Sequence, residues 1–311
     1  MKIAILIPCY NEELTIEKVI NDFKRELPDS EIYVYDNNSE DKTYEVALKN
    51  GVIVRKEFRQ GKGNVVRSMF MDIDADCYIM VDGDDTYPVE FVHSLIEPIL
   101  NKEANMVIGD RLSNGTYKIE NKRAFHNLGN LIVRVLINKL FSSNINDIMT
   151  GYRSFDKEFV KSIPILSEGF EIETEMSIHA LDKRFLVKEI PIDYRDRPDG
   201  SFSKLNTIND GIKVIKTIFT LFKDYKPMLF FTICSLFFLI LGLAVGMPVI
   251  YEFVETSVIT KLPSAILAVG LVILSTLSFS CALILDTVVK QNKRLYELHL
   301  SEIKYRINCD K

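Results

Sequence analysis

Three carboxylates fall within four residues at Asp82-Gly83-Asp84-Asp85. Charges held that close repel one another and are tolerated best beside a cation. Their hard oxygens suit Mg²⁺ or Mn²⁺, which Asp82 and Asp84 could bridge to a diphosphate. Asp and Gly also build ordinary solvated turns, but this cluster directly follows the apolar run 78–81, so it sits at a strand end. A second polar cluster, Asp36-Asn37-Asn38-Ser39, also closes an apolar run. Asp36 could accept hydrogen bonds from a base or a ribose, although such residues also simply cap helices. In Gly61-Lys62-Gly63, backbone amides and the Lys62 ammonium could approach a phosphate. The spacing is not that of a Walker A loop.

These clusters need elements to carry them, and the first two hundred residues alternate between two periods. Residues 3–7 form an uninterrupted apolar run, as in a strand buried on both faces. Residues 12–27 read as a helix with Ile16, Val19, Ile20 and Phe23 on one face. Strands are expected at 31–35, 52–54, 77–81 and 105–109. Helices are expected from a Ser39 cap to residue 50, over 63–71, and after Pro88. Strands alternating with helices make an α/β fold, a mostly parallel sheet with helices on both faces. Ligands of such sheets bind at the carboxyl ends of strands. The polar clusters at 8–12, 36–41, 82–85 and 110–111 all fall there. Residues 123–141 carry a stripe of Leu128, Leu131, Ile132, Val135, Leu136 and Leu140, which reads equally as a core face or a membrane-surface face. Residues 207–225 set Ile208, Ile212, Ile215 and Phe219 against Lys213, Lys216 and Lys223, the pattern of an interfacial helix.

Beyond Lys226 the charges thin out. Residues 228–248 and 263–285 carry none, and each run has the ~20 residues needed to cross a bilayer. Lys223 and Lys226 precede the first run, and Lys290, Lys293 and Arg294 follow the second. Glu252, Glu255 and Lys261 lie between. By the positive-inside rule both ends face the cytoplasm. The organisation expected is a catalytic domain over 1–206, an interfacial helix over 207–227, a two-helix transmembrane hairpin over 228–289 and a cytoplasmic tail over 290–311. The net charge of -5 argues against a nucleic-acid partner. The five cysteines form no CxxC pair, which argues against a zinc site and fits a reducing compartment. The opening apolar run is too short for a signal peptide.

Taken together, the motifs resemble the family 2 glycosyltransferases of GT-A fold, a Rossmann-like architecture. The resemblance is closest to their polyprenyl-phosphate branch, the dolichyl-phosphate mannose synthases and bactoprenol glucosyltransferases. Pro8-Cys9-Tyr10-Asn11-Glu12 is similar to the family's opening Pro-x-Tyr-Asn-Glu. Residues 36–43 resemble its Asp-Asp-Gly-Ser-x-Asp-x-Thr segment, with Asn37 and Asn38 replacing Asp and Gly. Asp82-Gly83-Asp84 matches its Asp-x-Asp metal motif, followed here by Asp85-Thr86 where many relatives have Leu-Gln. Gly109-Asp110-Arg111, residues 147–153, Gly169-Phe170-Glu171-Ile172-Glu173 and residues 195–205 continue the likeness.

The resemblance implies a nucleotide-sugar donor held by Pro8, Tyr10, Asn11, Glu12, Asp36, Lys62 and Asp82, with Mg²⁺ or Mn²⁺ on Asp82 and Asp84. It implies a polyprenyl phosphate acceptor held by Arg111, Arg123 and Asn127. Arg153, Arg195, Arg197 and Lys204 form a second basic set over donor or acceptor, and Asp147 orients the acceptor or serves as base. The expected reaction is metal-dependent, inverting sugar transfer to a lipid phosphate at the cytoplasmic face of the cell membrane, in a multi-pass protein that touches the bilayer. Homo-oligomerisation is compatible with this. Competing expectations are a processive or glycolipid-hydroxyl glycosyltransferase of the same fold, which needs a general base, and a non-catalytic membrane scaffold.

Overall fold

The computed structural model describes residues 1–115, 124–197, 219–220 and 222–309, with 124–130 described by backbone alone. The chain divides into two compact units, Met1–Asp210 with His299–Lys311, and Gly211–Leu298.

The first unit is built on a seven-stranded sheet. Its strands are β1 (Ile3–Cys9), β2 (Glu31–Asp36), β3 (Ile53–Lys56), β4 (Cys77–Met80), β5 (Met106–Asp110), β6 (Arg153–Asp156) and β7 (Val187–Pro191). They lie in the order β3-β2-β1-β4-β6-β5-β7. β1 pairs in parallel on both sides, with Ile5 opposite Ile32 and Ile79. Ile5, Leu6 and Ile7 are fully buried, which is why this strand shows no polar alternation. β6 runs antiparallel between β4 and β5. This short strand begins on Arg153 and ends on Asp156, so it lacks the apolar run that marks the others in the sequence.

The helices are α1 (Ile16–Glu26), α2 (Thr43–Lys49), α3 (Lys62–Asp72), α4 (Val92–Leu100), α5 (Ala124–Phe141), α6 (Lys157–Ser162) and α7 (Ile172–Asp182). α1 buries Ile16, Val19, Ile20 and Phe23 as its period predicts. It starts later than expected because residues 12–15 form a turn closed on the Glu12 carbonyl. Ser39 does not cap α2. Its hydroxyl instead accepts the Asn11 N–H at 2.9 Å, and Lys42 holds the cap position. Pro88 leads into a single 3₁₀ turn (Val89–Phe91) before α4. Among the residues of α5 whose side chains are described, Val133 and Ile137 are buried, Leu136 and Leu140 are half-buried, and Leu131, Ile132 and Val135 are exposed. Leu128 of the stripe read from the sequence lies outside the described side chains.

Because β6 alone is antiparallel, the carboxyl ends of β1, β2, β4 and β5 share one edge of the sheet. All four polar clusters lie along it.

The second unit contains α8 (Pro227–Thr256) and most of α9 (Leu262–Cys309). Both are long and apolar enough to cross a membrane. α8 continues through Pro248 rather than ending there. Gly242 and Gly246 allow close approach. A Cβ on Gly242 would lie 3.1 Å from Val272, and one on Gly246 would lie 3.2 Å from Ala268. This is the small-xxx-small device of membrane helices, reinforced by a Ser235–Ser275 hydroxyl contact at 3.0 Å. The expected tail is helical to Cys309. Its last residues belong to the first unit, where Lys304 pairs with Glu158 at 3.0 Å. The expected helix at 207–227 falls largely outside the described residues.

Candidate active site

The turn after β4 is held tightly from below. The Thr15 hydroxyl donates to the Gly83 carbonyl at 2.7 Å. A Cβ on Gly83 would lie 2.8 Å from the Cys9 sulfur, so only glycine lets this turn settle against β1. Asp84 and Asp85 are thereby turned apart. Asp85 adopts a left-handed backbone (φ 58°) and pairs with Lys18 at 2.6 Å, away from its neighbours. Asp84 is buried, and its Oδ1 accepts from the Thr86 hydroxyl at 2.7 Å. Its Oδ2 accepts from Arg197, which also lies 3.9 Å from Glu12. Burial and the neighbouring Asp82 push the Asp84 carboxyl above its usual range, against the opposing pull of Arg197 and Thr86.

Asp82 accepts from the Lys62 ammonium, which also donates to Glu173 at 2.5 Å. Burial pulls the Lys62 ammonium down, but the carboxylates of Asp82 and Glu173 outweigh it and hold Lys62 above its usual range. The Gly63 N–H donates to the Glu168 carbonyl at 2.9 Å. The first turn of α3 therefore meets residues 167–168 of its own chain, rather than presenting that amide to a phosphate. Lys62 does enter the site, as a side chain.

The loops after β1 and β2 are stitched together. Asn11, also left-handed (φ 54°), accepts the Glu40 N–H at 2.8 Å, and the Glu12 N–H donates to the Thr43 hydroxyl at 2.8 Å. Pro8 lies within β1 opposite Tyr35, and Tyr10 is half-buried at its mouth. Asn37 is buried and clamps the loop after β3. Its amide donates to the carbonyls of Glu57 and Arg59 and accepts the Gly61 N–H. Asp36 is buried with one carboxylate oxygen, Oδ1, lacking a hydrogen-bond partner. Such an atom is costly unless a ligand supplies a donor.

At the end of β5, Arg111 forms a two-pronged pair with Asp147 at 2.7 and 2.9 Å. The guanidinium also contacts the rings of Tyr87 and Tyr194, at 5.9 and 5.7 Å. Both Asp147 oxygens accept from Arg111, so the carboxylate is an orienting group for the arginine; this geometry does not present it as a free base. Tyr87 joins the two halves of the site. Its hydroxyl accepts from Arg111 at 3.3 Å and from the Gly151 N–H at 2.9 Å. Gly151 in turn faces the Asp82 carboxylate, where a Cβ would lie 2.5 Å from an oxygen. A tyrosine near an acidic cluster is no signal on its own, and Tyr87 was not legible in the sequence.

Arg153 corrects an expectation. It is fully buried in β6, where it donates to the carbonyls of Thr150 and Ile148 and to the Ser177 hydroxyl at 2.9 Å. Burial pulls its guanidinium down to about 10. It shapes the loop before β6 from behind and does not face a ligand. Arg195 pairs with Glu90 at 2.9 Å. Arg123 and Lys204 lie outside the described residues, and Asn127 is placed by its backbone on α5.

The acidic pair fits a divalent cation. Two carboxylates share one turn, one of them buried and disfavoured as an anion by burial and then by the other, and each already meets a cationic side chain. Among the described residues no group of three or more His, Cys, Asp or Glu could hold a metal by itself. Asp82 and Asp84 would hold an ion that takes its remaining ligands from a diphosphate and water.

The family model for "Glycosyl transferase family 2" matches residues 4–163. Glycosyltransferase AglJ of Haloferax volcanii is 31% identical over 303 residues, covering 95% of this chain and 98% of its own. The dolichyl-phosphate hexose transferase of the same organism is 28% identical, covering 70% of this chain and 92% of its own. Among solved structures, glucosyl-3-phosphoglycerate synthase of Mycobacterium tuberculosis, in complex with Mn²⁺ and UDP-glucose, superposes with a TM-score of 0.56. It is 21% identical, covering 71% of this chain and 78% of the other, a likeness of fold. A mostly parallel sheet with its acidic pair at the carboxyl edge, a family match across that sheet and a full-length relative converge on one conclusion. The chain belongs to glycosyl transferase family 2, as a GT-A glycosyltransferase related to the polyprenyl-phosphate branch.

Proposed function

We propose that this enzyme transfers a hexose from a nucleotide sugar to the phosphate of a polyprenyl phosphate, inverting the anomeric centre, at the cytoplasmic face of the membrane. The observation that carries this reading is the link Asp82–Gly151–Tyr87–Arg111, which sets a donor half and an anion-binding half side by side. The names of the relatives support it, one of them a dolichyl-phosphate hexose transferase.

On the donor side, Asp36 accepts from the base or ribose through its unpartnered Oδ1. Asp82 and Asp84 would hold Mg²⁺ or Mn²⁺, which when bound would supply Lewis-acid neutralisation of the departing nucleoside diphosphate. Lys62 and Arg197 keep those carboxylates aimed and add positive charge beside the leaving group. On the acceptor side, Arg111 is aimed by Asp147 through Nε and Nη2 and brings its positive charge to the lipid phosphate. Arg123, Asn127 and Lys204 join it by resemblance alone. A phosphate monoester has a second pKa near about 6, so the acceptor is already anionic at neutral pH. One phosphate oxygen forms the new bond to the anomeric carbon as the bond to the diphosphate breaks. No strong base is needed, which agrees with an Asp147 engaged by arginine.

The test is nucleotide release by purified protein with a panel of nucleotide sugars, with and without a short polyprenyl phosphate. Release that depends on the lipid phosphate is expected. Equal release with a glycolipid hydroxyl and none with the phosphate would overturn the acceptor assignment.

A further inference from the structure

The second unit contains a cleft of about 480 Å³, where the start of α8 meets the charged stretch of α9. Lys226 lies at one rim, and Lys290 and Lys293 lie at the other. Asp286 steadies Lys290 at 2.7 Å, one helical turn away. Below the lysines the walls become apolar, with Met228, Leu229 and Val289. Thr232 also lines this cleft, and its hydroxyl is buried without a hydrogen-bond partner. Its isolation is unusual for these helices. Thr276, Ser278, Ser280 and Thr287 on α9 each donate to the carbonyl four residues earlier, at 2.8 to 3.0 Å. Thr232 forgoes that bond, so its buried hydroxyl keeps an unused donor.

We infer that this cleft is a binding site for the phosphate headgroup of an anionic bilayer phospholipid, distinct from the lipid phosphate that accepts the sugar. The inference goes beyond the proposed reaction and rests only on the reading of α8 and α9 as membrane spans. Its chemistry is that of a headgroup site. Three ammonium groups meet a phosphodiester, a buried hydroxyl supplies the donor for one phosphate oxygen, and the apolar wall takes the upper acyl chain. Basic pockets between transmembrane helices bind anionic headgroups in this way. The volume suits a headgroup rather than a single ion. A phospholipid is favoured over the acceptor because, in a bilayer spanned by these helices, bulk lipid far outnumbers a carrier and would fill a basic headgroup pocket first.

The experiment uses the full chain in nanodiscs of phosphatidylcholine, with and without phosphatidylglycerol, and follows retained lipid by native mass spectrometry and thermal midpoint. Wild type is expected to retain phosphatidylglycerol selectively and to gain midpoint from it. The triple variant Lys226→Gln, Lys290→Gln, Lys293→Gln should lose roughly a hundredfold in apparent affinity, since each lysine near a bilayer surface contributes about fivefold. The triple lysine-to-arginine variant should retain selectivity, which separates lost charge from lost fold. Thr232→Val should weaken retention with the lysines intact. Equal retention of both phospholipids, or a glutamine variant as selective as wild type, would overturn the inference. Displacement of phosphatidylglycerol by an equimolar polyprenyl phosphate would overturn it too, by giving the cleft to the acceptor. Sugar transfer by the glutamine variant in phosphatidylcholine is expected to persist, so the inference and the proposed reaction fail separately.

Discussion

At Asp84 two opposing demands meet. Burial and Asp82 disfavour the charged carboxylate, while Arg197 and Thr86 sustain it. A divalent ion would relieve that conflict. Asp84→Asn keeps the shape and the contact with Thr86 but removes the charge. Turnover should fall roughly a hundredfold to a thousandfold, with metal dependence lost and the thermal midpoint nearly unchanged. Steady-state rates across a metal titration check this, and near-normal transfer in excess chelator would end the metal assignment. Arg111 calls for a gentler change. Arg111→Ala would strand a buried Asp147 carboxylate, a loss of roughly 3–5 kcal/mol, and would confuse binding with folding. Arg111→Lys keeps the charge pair and removes the fork. It should raise the apparent KM for lipid phosphate or lower kcat, and leave donor affinity intact by calorimetric titration. A selective loss of donor affinity would assign Arg111 to the diphosphate instead.

Between elements, α3 and α7 bring Lys62 and Glu173 together from 111 positions apart. The approach depends on Gly63, where a Cβ would lie 2.0 Å from the Ser167 carbonyl oxygen. Gly63→Ala must push residues 167–168 off α3, at a cost of about 1–3 kcal/mol. The Lys62–Glu173 contact should loosen with it, seen as a lower midpoint together with weaker metal half-saturation. Further along α7, His179 packs on Phe159 and Phe185 at 5.8 and 5.9 Å. Burial pushes its imidazole down to about 4, with Lys183 adding to the effect. The unfolded chain titrates near about 6.5. With the folded value below the unfolded one, the stabilisation is complete above about 6.5 and is lost as pH falls toward about 4. The whole loss is about 3 kcal/mol. His179→Phe should remove this component, so that midpoints of variant and wild type diverge across that pH window and run parallel outside it. Parallel curves throughout would show that folding leaves the His179 imidazole unshifted.

For the molecule as a whole, the decisive feature is a family 2 catalytic sheet on the same chain as two membrane-length helices. The large side chains of α8 lie open, Leu236, Phe237 and Ile240 each being more than half exposed (55%, 58% and 57%), as expected of a helix whose solvent is lipid. The charge asymmetry about the hairpin predicts that the catalytic unit and the C-terminus both lie in the cytoplasm. Protease added to right-side-out vesicles should leave the N-terminal unit intact and cut it only after lysis. Digestion from outside would invert the topology.

What the sequence determined alone was local in origin. Uninterrupted apolar runs located β1 and β4, the period of α1 exposed its buried face, and charge-free lengths marked both membrane-length helices, because burial and bilayer thickness act on consecutive residues. The acidic pair and Asp36 were legible because they sit where such runs end. What only the tertiary structure decided depended on residues far apart in the chain. β6 inserts antiparallel between β4 and β5 although its own four residues carry no strand signal. Arg153 is a core residue because the loops it binds close over it. Arg111 and Asp147, read separately as phosphate ligand and as acceptor-orienting group or base, are one ion pair. Tyr87 joins the two halves of the site through one oxygen. Nothing in a residue's type or its neighbours in the chain records which partner reaches it across the fold, and in a buried site the partner sets a charge's role.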